Sequence, residues 1–353
     1  MKIAQVAPLM ESVPPRQYGG SERVVSWITE QLVHLGHEVT LFASGDSSTA
    51  ADLVAFGDRA LRFDPEATYP LPHHLVMLDA VRRRADEFDV IHFHTDYLHW
   101  PLFRDMAQRT VTTLHGRLDL PFLKPAFAGF PEMPLVSISD NQRTPFPAAN
   151  WASTIYHGLP RDLLPYCERP STDYLAFVGR ICPEKRVDRA IAIAKRAGVK
   201  LRIAAKVDVS DQAYFEQKIK PLLDDPLVEF IGEIDDTQKP AFFGNALGTL
   251  FPIDWPEPFG LVMIESMSCG TPVIAYNHGS VPEVIDHGVT GFIVDGEDEA
   301  VTAVHRLTML NRLMVRMRFE ERFSVERMVG DYMTLYEDAQ DAERVPVSAI
   351  TRA

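Results

Sequence analysis

Short β-branched apolar runs alternate with amphipathic helical stretches along nearly the whole chain, and they do so in two series. The first series comprises 3–6, 38–42, 90–94, 110–114 and 135–138; the second comprises 174–178, 200–204, 228–231, 248–251, 272–275 and 291–294. The intervening helices are expected to begin at Ser21, Asp188, Thr237 and Phe259. Strands separated by helices make parallel sheets covered on both faces, so the expected class is α/β. Two series imply two Rossmann-like, doubly wound domains. The length, 353 residues, also suits two domains better than one core. The proline-rich stretch 160–170 is expected to link them, giving domains 1–165 and 166–325. The remainder, 326–353, has helical period at first and is expected to cross back onto the first domain, with a frayed end after Ala342.

The formal charge of −14 argues against general nucleic-acid binding. Cys167, Cys182 and Cys269 are too scattered for a disulfide framework or a zinc site, which fits a reducing compartment. The opening M-K-I-A-Q-V-A-P is too short for a secretory apolar region, and no run reaches membrane length. The expectation is a cytoplasmic protein with no integral membrane segment.

In open α/β sheets ligands bind beyond the carboxyl ends of the strands, so the loops there carry the chemistry. Residues 257–265 read E-P-F-G-L-V-M-I-E, with G-T-P-V-I-A from Gly270. Pro258 suits a helix start. If Gly260 opens the helix, the N–H groups of Phe259, Gly260 and Leu261 form an anion site. Glu257 precedes it on the loop. Glu265 sits among apolar neighbours, where a carboxylate needs a partner or costs several kcal/mol. The segment offers a diphosphate cradle with a carboxylate on either side, as a nucleotide-sugar site requires. Arg180 and Lys185, in G-R-I-C-P-E-K, are either further diphosphate ligands, as a fork and a point charge, or surface charges paired with Glu184 and Asp188. Gly19 and Gly20 allow backbone to approach a phosphate or simply make a turn, with Ser21 placed to cap the next helix. There is no G-x-G-x-x-G in that loop, which disfavours a dinucleotide redox enzyme.

His115 follows the strand 110–114, either as a donor to a sugar hydroxyl or as a satisfied loop histidine. His92, His94 and His99 lack an acidic partner at ligand spacing, so no metal site is assigned. No D-x-D triplet occurs, which argues against a carboxylate-held divalent metal; no cofactor is expected. Arg82, Arg83 and Arg84 are read as a solvated helix face beside Asp86 and Glu87.

With these motifs in order, the chain resembles a retaining glycosyltransferase of family 4, glycogen-synthase-like and of GT-B fold. E-P-F-G-L-V-M-I-E is similar to that family's E-x7-E element, G-R-I-C-P-E-K to its G-R-x4-K element, and Y-G-G-S-E-R to its glycine-rich first loop. G-S-V-P-E-V-I from Gly279 and H-G-V-T-G-F-I-V from His287 resemble the segments that follow. The resemblance implies two domains facing each other across a cleft. It places Gly19 and Gly20 toward the donor phosphates and Arg180 and Lys185 on the diphosphate. Glu257 falls on the donor sugar, Glu265 on the ribose and His115 beside the transferred sugar, while Ile234, Asp236 and Lys239 fall near the base. The family usually has glycine after the lysine; here it is Arg186.

The implied reaction moves a hexose from a nucleoside diphosphate to an acceptor hydroxyl with retention, by front-face attack, without metal and without a protein nucleophile. UDP-glucose is the first donor expected and GDP-mannose the second. Acceptor residues are expected among 11–16, Tyr97, Trp100 and 117–122, chiefly Arg16, Arg117 and Asp119, for a small polar, flat, or sugar- or lipid-linked acceptor. The first loop also resembles that of bacterial pteridine glucosyltransferases. The helix 21–35 is not basic, which favours a soluble acceptor. A GT-B epimerase or phosphorylase would need an acid/base dyad or a pyridoxal-lysine motif, and neither is found. A catalytically silent nucleotide-binding module is disfavoured by the intact Arg180, Lys185, Glu257 and Glu265.

Overall fold

The computed structural model describes residues 1–16 and 19–344, with side chains to residue 340. Tyr18 of the glycine-rich loop and the last nine residues, most of the tail expected to fray, lie outside the described residues; the helix continues past Ala342 to Arg344. The chain divides into two compact units, Met1–His157 with Val325 onward, and Gly158–Ser324.

The first unit holds a seven-stranded sheet: β1 (Lys2–Val6), β2 (Glu38–Ser44), β3 (Asp52–Phe56), β4 (Val90–Phe93), β5 (Thr110–Thr113), β6 (Leu135–Ser137) and β7 (Trp151–Thr154). The order is β3-β2-β1-β4-β5-β6-β7, and every pairing is parallel. The central strands are buried along almost their whole length, which is why they appear in the sequence as unbroken apolar runs. β3 and β7 sit at the two edges and are partly exposed. β7, W-A-S-T, has no such run and so escapes a reading based on apolar pattern; β3, D-L-V-A-F, does have a short run at 53–56, which the expected strands do not include.

The second unit holds six strands: β8 (Tyr174–Arg180), β9 (Lys200–Lys206), β10 (Val228–Gly232), β11 (Gly248–Phe251), β12 (Val273–Tyr276) and β13 (Gly291–Val294), in order β10-β9-β8-β11-β12-β13. Its main core lies around Leu175, Ile191, Ile203, Ile274 and Val304. All its pairings are parallel.

The expectation for the stretch between the domains changes. The stretch 160–170 is not a free linker. It belongs to the second unit, where the Arg316 guanidinium donates to the carbonyls of Leu164 (3.0 Å) and Arg161 (2.9 Å), and Leu159 forms a bridge with Ser324. The boundary therefore falls at His157–Gly158. A Cβ on Gly158 would sit 2.2 Å from the Ser324 carbonyl oxygen, so the chain can pass there only without a side chain. The final helix, Val325–Arg344, belongs to the first unit, where its Tyr332 and Tyr336 are buried. Helix starts also move. The first helix opens at Gly20 with Gly19 before it, and Ser21 is no cap. The helix expected from Thr237 is Lys239–Gly244; Asp235 shapes its approach by accepting from the N–H groups of Thr237 (2.8 Å) and Gln238 (3.1 Å).

Candidate functional site

The second unit gathers most of the predicted donor residues at the carboxyl ends of its strands. β8 ends on Gly179 and Arg180. A tight turn, Pro183–Lys185, then presents Lys185, and Asp254 N–H donates to the Glu184 carbonyl at 2.8 Å to fasten that turn to the loop after β11. The Lys185 ammonium is ion-paired with Glu257. It also lies 5.2 Å from the Trp255 ring centroid and 5.5 Å from that of Phe251, a cation–π setting that confines it. Glu257 is only 8% exposed. Its peptide is gripped from the other side: Ser280 N–H donates to its carbonyl at 3.0 Å, and a Cβ on Gly279 would fall 2.3 Å from its nitrogen. Gly279 is left-handed (φ 59°), so only glycine passes that close without strain. Sequence reasoning placed Gly279 merely among accompanying segments.

The helix after Glu257 runs Leu261–Ser268, with Gly260 as its left-handed N-cap (φ 79°). It opens two residues later than expected. Met263 N–H closes the first turn onto the Gly260 carbonyl at 3.0 Å, and the N–H groups of Leu261 and Val262 before it form the positive end of the helix. Phe259 is not part of that end. Its ring is buried and meets Phe323 edge-on at 6.0 Å, anchoring the loop. On the same helix Glu265 is 4% exposed and accepts from the Lys239 ammonium at 2.6 Å; Asp236 accompanies that ammonium at 3.2 Å. The partner that a buried Glu265 requires is therefore Lys239. Ile234 lies half-buried on the same loop.

Arg180 faces Asp208 and Asp211, each at 3.6 Å. Neither aspartate was singled out in the sequence; they lie after β9, the strand beside β8, and that adjacency was their only signal. Arg186 occupies a left-handed position (φ 52°, ψ 51°) and spreads its guanidinium over Asp188 (2.8 Å) and Asp254 (2.9 Å). A left-handed turn at this position, which glycine would make without strain, is held here by an arginine.

The first unit brings His115 to the end of β5, where its Nε2 lies 2.8 Å from His94 Nδ1 and its ring stacks on His157 at 5.3 Å. Burial pushes the His115 imidazole down to about 4, so it is neutral at physiological pH. His92 and His99 spend their ring nitrogens on Thr113, Tyr336 and Thr112 at 2.7, 2.7 and 2.9 Å. In the glycine-rich loop, a Cβ on Gly19 would fall 2.8 Å from Pro15, so that loop closes only on glycine. Glu22, 7% exposed, is pushed up to about 6 by burial, with Glu11 adding to it. Of the acceptor set, Arg117 and Asp119 form a two-bond pair at 2.7 and 2.6 Å, Tyr97 is exposed, and Arg16 stands 3.9 Å from Asp46. Trp100 is 1% exposed. It packs edge-on against Phe127 and Phe130 in a core cluster, which withdraws it from any acceptor surface.

The model for Glycosyltransferase Family 4 matches residues 18–197, and that for Glycosyl transferases group 1 matches residues 168–322. A D-inositol 3-phosphate glycosyltransferase from Mycolicibacterium smegmatis is 27% identical over 339 residues, covering 79% of this chain and 76% of that one. A Klebsiella pneumoniae protein described only as an uncharacterized 41.2 kDa protein in the cps region is 31% identical over 168 residues; the match takes in 46% of this chain and spans 45% of that relative's length. The crystal structure of Anabaena HepE with UDP and glucose superposes with a TM-score of 0.74 at 20% identity, over 96% of this chain and 100% of that one. Together these matches establish that the chain belongs to glycosyltransferase family 4, with the GT-B fold.

Proposed function

We propose that this protein transfers a hexose from a nucleoside-diphosphate sugar to an acceptor hydroxyl with retention of anomeric configuration. One observation carries the donor half. Two buried carboxylates, each with its own lysine, flank the glycine-capped start of the helix Leu261–Ser268. The Lys185 ammonium pairs with Glu257, and a donor diphosphate competes with that carboxylate for it. Glu257, released, accepts from hydroxyls of the donor sugar. Glu265 takes the ribose, and Ile234, Asp236 and Lys239 lie where the base would rest. Arg180, Lys185 and the helix end neutralise the leaving diphosphate. In the front-face step the bond from C1 to the phosphate oxygen breaks. The acceptor oxygen bonds to C1 on the same face, and its proton passes to a donor phosphate oxygen. The protein supplies position and charge, and no metal is required.

UDP-glucose is the donor we assign first. Glucose and UDP are named with the HepE structure, whose fold this chain shares. GDP-mannose is second. The acceptor is assigned to first-unit loops around Arg16, Tyr97, Arg117 and Asp119. No helix among the described residues is long and apolar enough to cross a membrane, and the three cysteines are free, consistent with a cytoplasmic enzyme.

A thermal-shift panel of nucleotides and nucleotide sugars tests the donor, because a ligand of the native state raises Tm by mass action. UDP and UDP-glucose should raise it. A rise with GDP-mannose alone would move the assignment to the second donor, and no rise with any nucleotide would defeat the reading. Donor turnover should also persist in excess EDTA; full loss, restored by Mg²⁺ or Mn²⁺, would show that a metal carries the charge.

A further inference from the structure

A chain of hydrogen bonds runs through the first unit from its last helix to His115. Tyr332 Oη lies 2.9 Å from Thr113 Oγ1, which lies 2.7 Å from His92 Nε2. His92 Nδ1 lies 2.7 Å from Tyr336 Oη, to which Gln5 Nε2 donates at 3.3 Å. Gln5 Oε1 then faces His94 Nε2 at 2.9 Å, and His94 Nδ1 faces His115 Nε2 at 2.8 Å. The sequence places these groups side by side, because Gln5 on β1 pairs with His92 on β4, and β5 with Thr113 is next. Gln5, His92, His94 and Thr113 are all buried, as are both tyrosines.

The direction of the bonds follows from Gln5. Its carbonyl oxygen can only accept, so His94 Nε2 carries the hydrogen. A neutral imidazole has one N–H, so His94 Nδ1 is bare and accepts from His115 Nε2–H. His115 Nδ1 is then also bare. It is buried, and among the described residues it has no hydrogen-bond partner. Burial holds His92 and His94 well below the ordinary imidazole range, which keeps the relay neutral. Turning the Gln5 amide over would reverse every bond and make His115 Nδ1 a donor. The amide orientation is thus the element that fixes polarity.

We propose that Gln5 is a positioning residue which, through His94, locks His115 in the Nε2–H tautomer and so presents Nδ1 as a hydrogen-bond acceptor for a hydroxyl of the bound sugar. The ligand side of this inference rests on the placement of His115 beside the transferred sugar; the tautomer side does not.

Long-range ¹H–¹⁵N spectra of ¹⁵N-histidine-labelled full-length protein separate bare from protonated ring nitrogens, with His115 assigned by comparison with His115→Gln. At pH 7.5 the expected result is a bare Nδ1 and a protonated Nε2 on both His94 and His115. A protonated His115 Nδ1 would overturn the proposal. Gln5→Leu should leave His115 a mixture of tautomers; an unchanged His115 there would show that Gln5 sets nothing. If Gln5→Leu does not fold, Gln5→Glu still decides, since a carboxylate can only accept and must preserve the wild-type tautomer. A His115 with Nδ1 protonated in Gln5→Glu would be the contrary result. Adding UDP-glucose to the wild type should shift the Nδ1 resonance upfield as a hydroxyl bonds to it. Saturation without that shift, the tautomer being as stated, would remove His115 from the sugar while leaving the Gln5 relay standing.

Discussion

Lys185 is the residue on which the donor reading turns most directly. Its ammonium is confined by two rings and one carboxylate, so little side-chain entropy remains to be lost when a diphosphate replaces Glu257. Lys185→Ala should therefore cut kcat/KM by at least tenfold, about 1.4 kcal/mol. Near-wild-type turnover would overturn the assignment. Arg186, its neighbour, does a different job. A left-handed non-glycine residue costs about 1–2 kcal/mol. The Asp188 and Asp254 pairs recover part of that, each by up to about 1 kcal/mol. Arg186→Gly removes the strain and the pairs together, so urea unfolding should show a change within about 1 kcal/mol. Arg186→Ala keeps the strain and loses the pairs, and should be the less stable variant by about 1 kcal/mol. If the two variants are equally stable, the left-handed turn carries no cost.

At the scale of elements, the helix Leu261–Ser268 separates two tasks. Glu265 is assigned to the ribose, which does not react, so its binding is nearly the same in ground and transition states. Glu265→Gln should mainly raise the donor KM. Glu257 is assigned to the sugar that gains positive charge, so Glu257→Gln should mainly lower kcat. Donor saturation curves for the pair decide this, and equal effects on kcat would merge the carboxylates into one structural unit. Much of this element was legible in advance: the glutamates, the glycine cap and the apolar run are local in sequence. What was not legible came from elsewhere in the chain. Lys239 as the partner of Glu265 depends on the loop after β10, and Asp208 and Asp211 beside Arg180 depend on β9 lying next to β8. Trp100 shows the opposite failure. An aromatic in a loop-like stretch reads as a recognition residue, but the packing of Phe127 and Phe130 over it is a tertiary fact that no local pattern carries. The strand cores were visible because a doubly covered sheet demands apolar runs. β7 was not, since its W-A-S-T stretch at the sheet edge is free of that demand.

At the scale of the whole molecule, the two units differ in how they hold histidine, and this predicts a difference in acid stability. The first unit buries His74, His92, His94, His99 and His157, and burial lowers the affinity of each, like that of His115, for protons. Such groups bind more protons unfolded than folded below the ordinary value of 6.5, so the stability they share is present above that pH and is lost as pH falls. Glu22 works in the reverse sense. Its carboxyl is raised to about 6, so its contribution is fully present below the unfolded value of 4.5 and lost as pH rises through 6. One carboxyl cannot offset six imidazoles. The second unit's three histidines, His278, His287 and His305, are all exposed. Lowering the pH from 7.5 to 5 should thus loosen the first unit selectively. Hydrogen exchange with mass-spectrometric readout, corrected for intrinsic rates, should show protection falling in peptides from β1, β4 and β5 while peptides from β8, β11 and β12 keep theirs. Glu22→Gln should raise stability at pH 7.5 and change it little at pH 5. Uniform loss of protection across both units would mean that carboxylates shared by the two, rather than buried imidazoles in one, govern acid unfolding.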